Sequence, residues 1–192
     1  MYVIRPYWLV FLLLVLSSLP ASARTIHIVA FGDSATDGWL VAKKDAYPAQ
    51  LEAALRAKGY DVRVHNAGVS GDTTTGALKR LDAAIDPDTD IAIVEFGTND
   101  LRLHRPMSAV RANLTEIIRT LRKRNVEVLL IGLGSLNLSD VAKANDVAYT
   151  QWKLPAGKYR ARDGQHFNAE GYRLVIGRML PQVEALVHRK RR

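Results

Sequence analysis

Ser34, in the turn Gly32-Asp33-Ser34, and His166, in the turn Asp163-Gly164-Gln165-His166, are the residues best suited to do chemistry. A serine hydroxyl is a weak nucleophile until a base takes its proton, and the base works best when a third group fixes its tautomer. His166 can be that base. Asp163 lies three residues upstream and can orient the imidazole from the same turn. Acyl transfer also needs donors aimed at the oxyanion of a tetrahedral intermediate, either backbone N–H groups at a glycine turn or a side-chain amide. Gly71 and Asn99 offer one of each, and the N–H of Ser34 offers a third.

These residues need a frame that brings them together. Apolar runs of strand length alternate with helix-period stretches, which predicts an α/β protein with a parallel sheet and helices on both faces. Strands are predicted over Ile26 to Phe31, Val62 to Asn66, Ile91 to Phe96 and Val126 to Leu133, with a fifth, edge strand over Val147 to Trp152. Helices are predicted over Tyr47 to Lys58, Thr74 to Ala84 and Ser108 to Arg124, with one or two turns over Leu138 to Ala144. Asn168 can cap a last helix running to about Val187, with Pro181 as a kink. Three polar turns, at Ser34, at Gly68-Val69-Ser70-Gly71-Asp72 and at Gly97-Thr98-Asn99-Asp100, each follow a predicted strand and so share the carboxyl edge of the sheet, where such sheets bind ligands. Asp33 either shapes the nucleophile turn or caps a helix; Asp72 and Asp100 are expected to face away from the oxyanion and brace their loops.

The chain has 192 residues, no cysteine, 48% hydrophobic residues and a formal net charge of +8. That suits one domain with a single well-buried core, and it excludes disulfides, thiolate catalysis and Cys-based zinc sites. His27, His65, His104 and His188 have no metal-ligand spacing, so no metal is expected. Residues 1–23 carry Arg5, the apolar run Trp8 to Leu16 and the small-residue site Ala21-Ser22-Ala23, the layout of a signal peptide cleaved before Arg24. Export to the periplasm or medium is the expectation, with an uncleaved anchor as the alternative. The basic residues are scattered apart from the tail His188 to Arg192, and no nucleic-acid module is present. Peripheral attraction to an anionic envelope surface fits the charge better.

The Gly-Asp-Ser turn, the glycine turn at Gly71, the Gly-Thr-Asn-Asp turn and the Asp-x-x-His turn resemble, in order and context, the four blocks of the SGNH (GDSL-type) hydrolases. The likeness extends from about Thr25 to Val187 and is greatest to the bacterial periplasmic arylesterase, thioesterase and lysophospholipase group. It implies a flavodoxin-like three-layer α/β/α fold with no metal or other cofactor. It also implies Ser34, Asp163 and His166 as the triad, and Ser34, Gly71 and Asn99 as the oxyanion hole. The Gly-x-Ser-x-Gly elbow of α/β-hydrolases is missing. The stretch from Leu133 to Tyr159 is shorter than in the members it resembles. Trp152, Pro155 and Tyr159 approach His166 there and can form one wall of the acyl or alcohol site; the alternative is that Trp152 and Tyr159 pack under the last helix.

The implied activity is that of an exported serine esterase acting on small-molecule or lipid esters or thioesters through an acyl-enzyme. The alternatives are a carbohydrate O-acetylesterase and a noncatalytic envelope-binding protein. Acyl length separates the first two: a shallow polar pocket would take acetate, whereas a groove lined by residues such as Trp39, Leu101 and Leu103 would take longer chains.

Overall fold

A computed structural model describes residues 24–153 and 157–191. The predicted leader and Pro155 lie outside the described residues. Five parallel strands form one sheet: β1 (Ile26–Gly32), β2 (Val62–Gly68), β3 (Ile91–Glu95), β4 (Glu127–Leu133) and β5 (Ala148–Trp152), in the order β2-β1-β3-β4-β5. The chain moves from β1 to β2 on one side, then crosses to β3 on the other. The switch point therefore falls between β1 and β3, where side-by-side turns open a crevice at the carboxyl edge.

The central strands are apolar on both faces because both faces are covered. With side chains alternating along β1, Ile26, Ile28 and Ala30 face one layer while Val29 and Phe31 face the other. Leu129 and Ile131 on β4 join the first set, Val128 and Leu130 the second. The first layer is built by α2 (Tyr47–Ala57) and α7 (Ala169–Lys190), the second by α3 (Thr74–Ala84) and α5 (Met107–Lys123). This is the expected three-layer α/β/α arrangement. Two short helices, α1 (Ser34–Asp37) and α4 (Thr98–Arg102), come directly after β1 and β3, and α6 (Ser139–Ala144) precedes β5.

The element ends are set by local chemistry. Thr73 Oγ1 accepts from the N–H of Gly76 and caps α3, and Asn168 Oδ1 accepts from the N–H of Gly171 and caps α7, as its sequence position suggested. Helix α7 runs through Pro181 to Lys190. Proline removes the bond to the carbonyl four residues back, that of Gly177, which is solvent-exposed and can bond water instead. At the end of β1 the packing is close enough to demand glycine. A Cβ on Gly32 would stand 2.0 Å from Thr36 Oγ1 and 2.8 Å from the carbonyl oxygen of Glu95. Gly32→Ala is therefore expected to destabilise the protein by roughly 1–3 kcal/mol through overpacking, read as a lower urea midpoint at unchanged m-value.

Candidate active site

Ser34 is the first residue of α1, placed at the sheet's carboxyl edge by β1. His166 lies in the loop before α7, and its Nε2 is 2.8 Å from Ser34 Oγ. His166 Nδ1 is 2.5 Å from Asp163 Oδ2. The hydrogen bond to His166 and the backbone N–H groups of Gln165 and His166 hold the Asp163 carboxyl down at about 2. At neutral pH it can only accept, so Nδ1 carries the proton and Nε2 is left to accept from the serine hydroxyl. The three groups expected to act together are thus brought together, in hydrogen-bonding order.

The histidine loop is docked by the residues on its carboxyl side. Phe167 is buried in the core, and Tyr172 of α7 donates its hydroxyl to the carbonyl of Ala35 at 2.9 Å, tying the last helix to the residue after the nucleophile.

Asp33 is almost fully buried and does both things the sequence allowed. Its Oδ1 accepts from the N–H of Ala35 at 3.0 Å, capping α1. Its Oδ2 accepts from Thr98 Oγ1 at 2.9 Å and Asn99 Nδ2 at 3.1 Å, fastening the turn after β1 to the turn after β3. Asn99 Nδ2 also donates to the carbonyl of Asp72 at 2.8 Å. Both amide protons therefore meet protein oxygens, and an oxyanion would have to share or take over the longer bond, the one to Asp33. The N–H groups of Ser34 and Gly71 donate to no acceptor among the described residues. Gly71 reaches its position at φ 82°, in the left-handed region open to glycine at little cost.

Glu95, at the end of β3, is the residue that sequence reasoning passed over despite a visible signal, a lone carboxyl in an otherwise apolar strand. It is buried and accepts from Thr36 Oγ1 at 3.1 Å through Oε2. Burial, compounded by the negative charge of Asp33, pushes its carboxyl well above the usual range. Burial raises Asp33 as well, opposed by its donors Ala35 and Thr98. The better-supplied Asp33 keeps the charge and Glu95 keeps the proton. Glu95 Oε1 meets no hydrogen-bond partner among the described residues.

Arg80, from α3, had no distinguishing signal in the sequence. Its guanidinium pairs with Asp72 at 2.6 Å, donates to the carbonyls of Ala67 at 2.8 Å and Gly32 at 3.0 Å, and lies 4.5 Å above the Phe31 ring. One side chain thereby joins the ends of β1 and β2 to the Gly71 turn. Asp72 and Asp100 both face away from the nucleophile, the second accepting from the N–H and hydroxyl of Thr74.

Two cavities meet at Ser34 and His166. One, of about 500 Å³, is bordered by Leu101, Leu133, Leu136 and Phe167. The other, of about 430 Å³, is bordered by Trp39, Ser70 and Gly71. Leu101 and Trp39 thus line the cleft, while Leu103 borders neither cavity. Trp152 and Tyr159 correct the expectation of an aromatic wall and take its alternative, packing beneath α7. Trp152 is fully buried edge-on against Tyr47 at 4.8 Å, and Tyr159 packs on the same core. A large ring on an edge strand gains more from that core than from the cleft, where Phe167 already stands.

Residues 30–152 match the model of the GDSL-like lipase/acylhydrolase family. The chain belongs to that family. Among the relatives of this GDSL-like protein are an arylesterase of Vibrio mimicus, 31% identical over 112 residues (58% of this chain, 56% of the relative), and esterase TesA of Pseudomonas aeruginosa, 33% identical over 123 residues (64% and 60%). The match thus spans less than two thirds of either relative. A solved SGNH-hydrolase family esterase, AlinE4, shares 30% identity at a TM-score of 0.67, covering 84% of this chain and 96% of that one.

Arg80 and Glu95 each give this GDSL-like fold a measurable property. Arg80→Ala should cost roughly 2–4 kcal/mol, because it leaves Asp72 unpaired, and Arg80→Lys should recover little, since an ammonium cannot supply the fork or the stack. Glu95 binds a proton in the folded state that an unfolded chain releases above the ordinary carboxyl range, so its contribution to stability falls as pH rises. Glu95→Gln removes that dependence. Its unfolding free energy relative to the native protein should rise as pH climbs above the ordinary carboxyl range, by up to about 1.4 kcal/mol per pH unit; a pH-independent difference would place the proton elsewhere.

Proposed function

We propose that the protein is an exported serine esterase that hydrolyses carboxylic esters or thioesters through an acyl-enzyme on Ser34. The observation that carries this reading is the continuous hydrogen-bonded line from Ser34 Oγ through His166 to Asp163. Ser34 Oγ attacks the acyl carbon as its proton passes to His166 Nε2, and Asp163 steadies the imidazolium that forms. The oxyanion receives the N–H groups of Ser34 and Gly71 and one proton of the Asn99 amide. Collapse expels the alcohol or thiol, which takes the proton from Nε2. Water, deprotonated by the same nitrogen, then attacks the acyl-enzyme and regenerates Ser34.

The apolar border of the larger cavity favours acyl or aryl groups longer than acetate, and therefore an arylesterase-like or lipid-type substrate over a glycan acetyl group. The name of one relative, an arylesterase, is in keeping with the arylesterase-like reading. Export rests on the leader-like composition of residues 1–23, and the net charge of +8 suits loose attachment to an anionic envelope surface.

The test is hydrolysis of p-nitrophenyl esters from acetate to palmitate by the purified protein. Turnover should rise from acetate to medium chains. Ser34→Ala and His166→Ala should lower kcat by about 10⁴-fold or more, Asp163→Asn by about 10²- to 10⁴-fold and Asn99→Ala by about 10²- to 10³-fold, with far-ultraviolet circular dichroism unchanged. Undiminished turnover in Ser34→Ala would refute the mechanism. Activity confined to acetate would shift the reading to an O-acetylesterase.

A further inference from the structure

We propose that the preferred ester carries an anionic group, a carboxylate or a phosphate, which Arg102 and Arg160 bind beside Ser34; the inference rests on the esterase reading above. Both arginines border the larger cavity, and Arg102 borders the second cavity as well. Both converge on the residue before the catalytic-site histidine. Arg102 Nη2 donates to Gln165 Oε1 at 3.2 Å, and Arg160 Nη1 donates to the carbonyl of Gln165 at 2.7 Å. Gln165, itself uncharged, thus holds both guanidinium groups at the border of the cleft.

Carboxylates near the cleft are committed elsewhere. Asp33 is buried under its own donors, and Asp163 is bonded to His166 and to the N–H groups of Gln165 and His166. Among the described residues Arg102 has no carboxylate within ion-pair distance, whereas Arg24, Arg80, Arg111 and Arg189 each have one. Arg160 lies 4.6 Å above the Phe167 ring, and its burial disfavours the charge, an effect that Asp163 opposes. A cleft with an apolar floor and two fixed cations is arranged for an amphiphile with one anionic end. An anion there gains charge-assisted, forked hydrogen bonds that a neutral ester cannot make.

A ratio of rates separates this role from that of a mere tether for the Gln165–His166 loop. Two pairs matched in acyl length, each with a neutral and an anionic member, serve as probes. p-Nitrophenyl hexanoate and mono-p-nitrophenyl adipate place the charge on the acyl side; octanoyl glycerol and octanoyl glycerol phosphate place it on the alcohol side. The anionic member of one pair should have the higher kcat/KM, by about tenfold, and the pair that shows it tells which side the anion occupies. That preference should fall about tenfold in Arg102→Gln, persist in part in Arg102→Lys, and survive in Arg119→Gln, an equal loss of charge on the exposed side of α5. A purely structural tether would lower both members of a pair equally and leave the ratio intact. Equal or better use of the neutral members, or a preference that survives both Arg102→Gln and Arg160→Gln, would overturn the proposal while leaving the esterase reading standing. Failure to hydrolyse all four esters would overturn the esterase reading, and this inference with it.

Discussion

The structure turns on a buried negative charge. Asp33 sits between the nucleophile and the sheet, almost without solvent access, and such a charge persists only where donors replace water. Three donors on two turns do so: the N–H of Ala35 on its own turn, and the Thr98 hydroxyl and Asn99 amide on the turn after β3. Satisfying one carboxylate thus forces two turns that are distant in sequence to adopt a fixed mutual geometry. Glu95 completes the arrangement from below by holding a proton instead of a second charge. The oxyanion donors and the nucleophile are consequently parts of one hydrogen-bonded unit, not independent loops.

Around that unit the sheet and the helices packed on it set position. Strands β1 and β3 are neighbours although β2 intervenes in sequence, and this places the Ser34 and Asn99 turns side by side. Arg80 bridges the ends of β1 and β2 and brings the Gly71 turn to the same edge. The base arrives last in the chain, from a loop that α7 holds against the body through Phe167 and the Tyr172 hydroxyl. A serine, a histidine and a glycine turn that share no local structure are brought within reach of one acyl group because each ends an element whose apolar face has nowhere else to pack.

Much of this could be read from the residues. The alternation of apolar runs gave the sheet and its layers, and the polar turns after three strands marked the edge where Ser34, Gly71 and Asn99 would meet. Asp163 to His166 is a local pair, and local pairs are readable. Arg80 was not, because its partners Gly32, Ala67 and Asp72 are gathered only by the fold. Trp152 was open to two readings for the same reason: an aromatic ring serves a cavity wall or a core equally well until its neighbours are known, and here Tyr47 and Phe167 claim it. Glu95 carried a signal in its apolar strand, but its partner Asp33 lies on another strand's turn. Helix α7 continued through Pro181, and Gly177, whose carbonyl it frees, is a solvent-exposed residue.

The central claim is that Ser34 is activated by His166 and Asp163 for attack on an acyl carbon. An organophosphorus fluoride tests this most directly, since it reacts with a serine only when a neighbouring base has made it nucleophilic. Incubation with the native protein, then peptide mass spectrometry, should place one adduct on Ser34, with labelling abolished in His166→Ala. An unlabelled native protein, or an adduct on any other residue, would contradict the account.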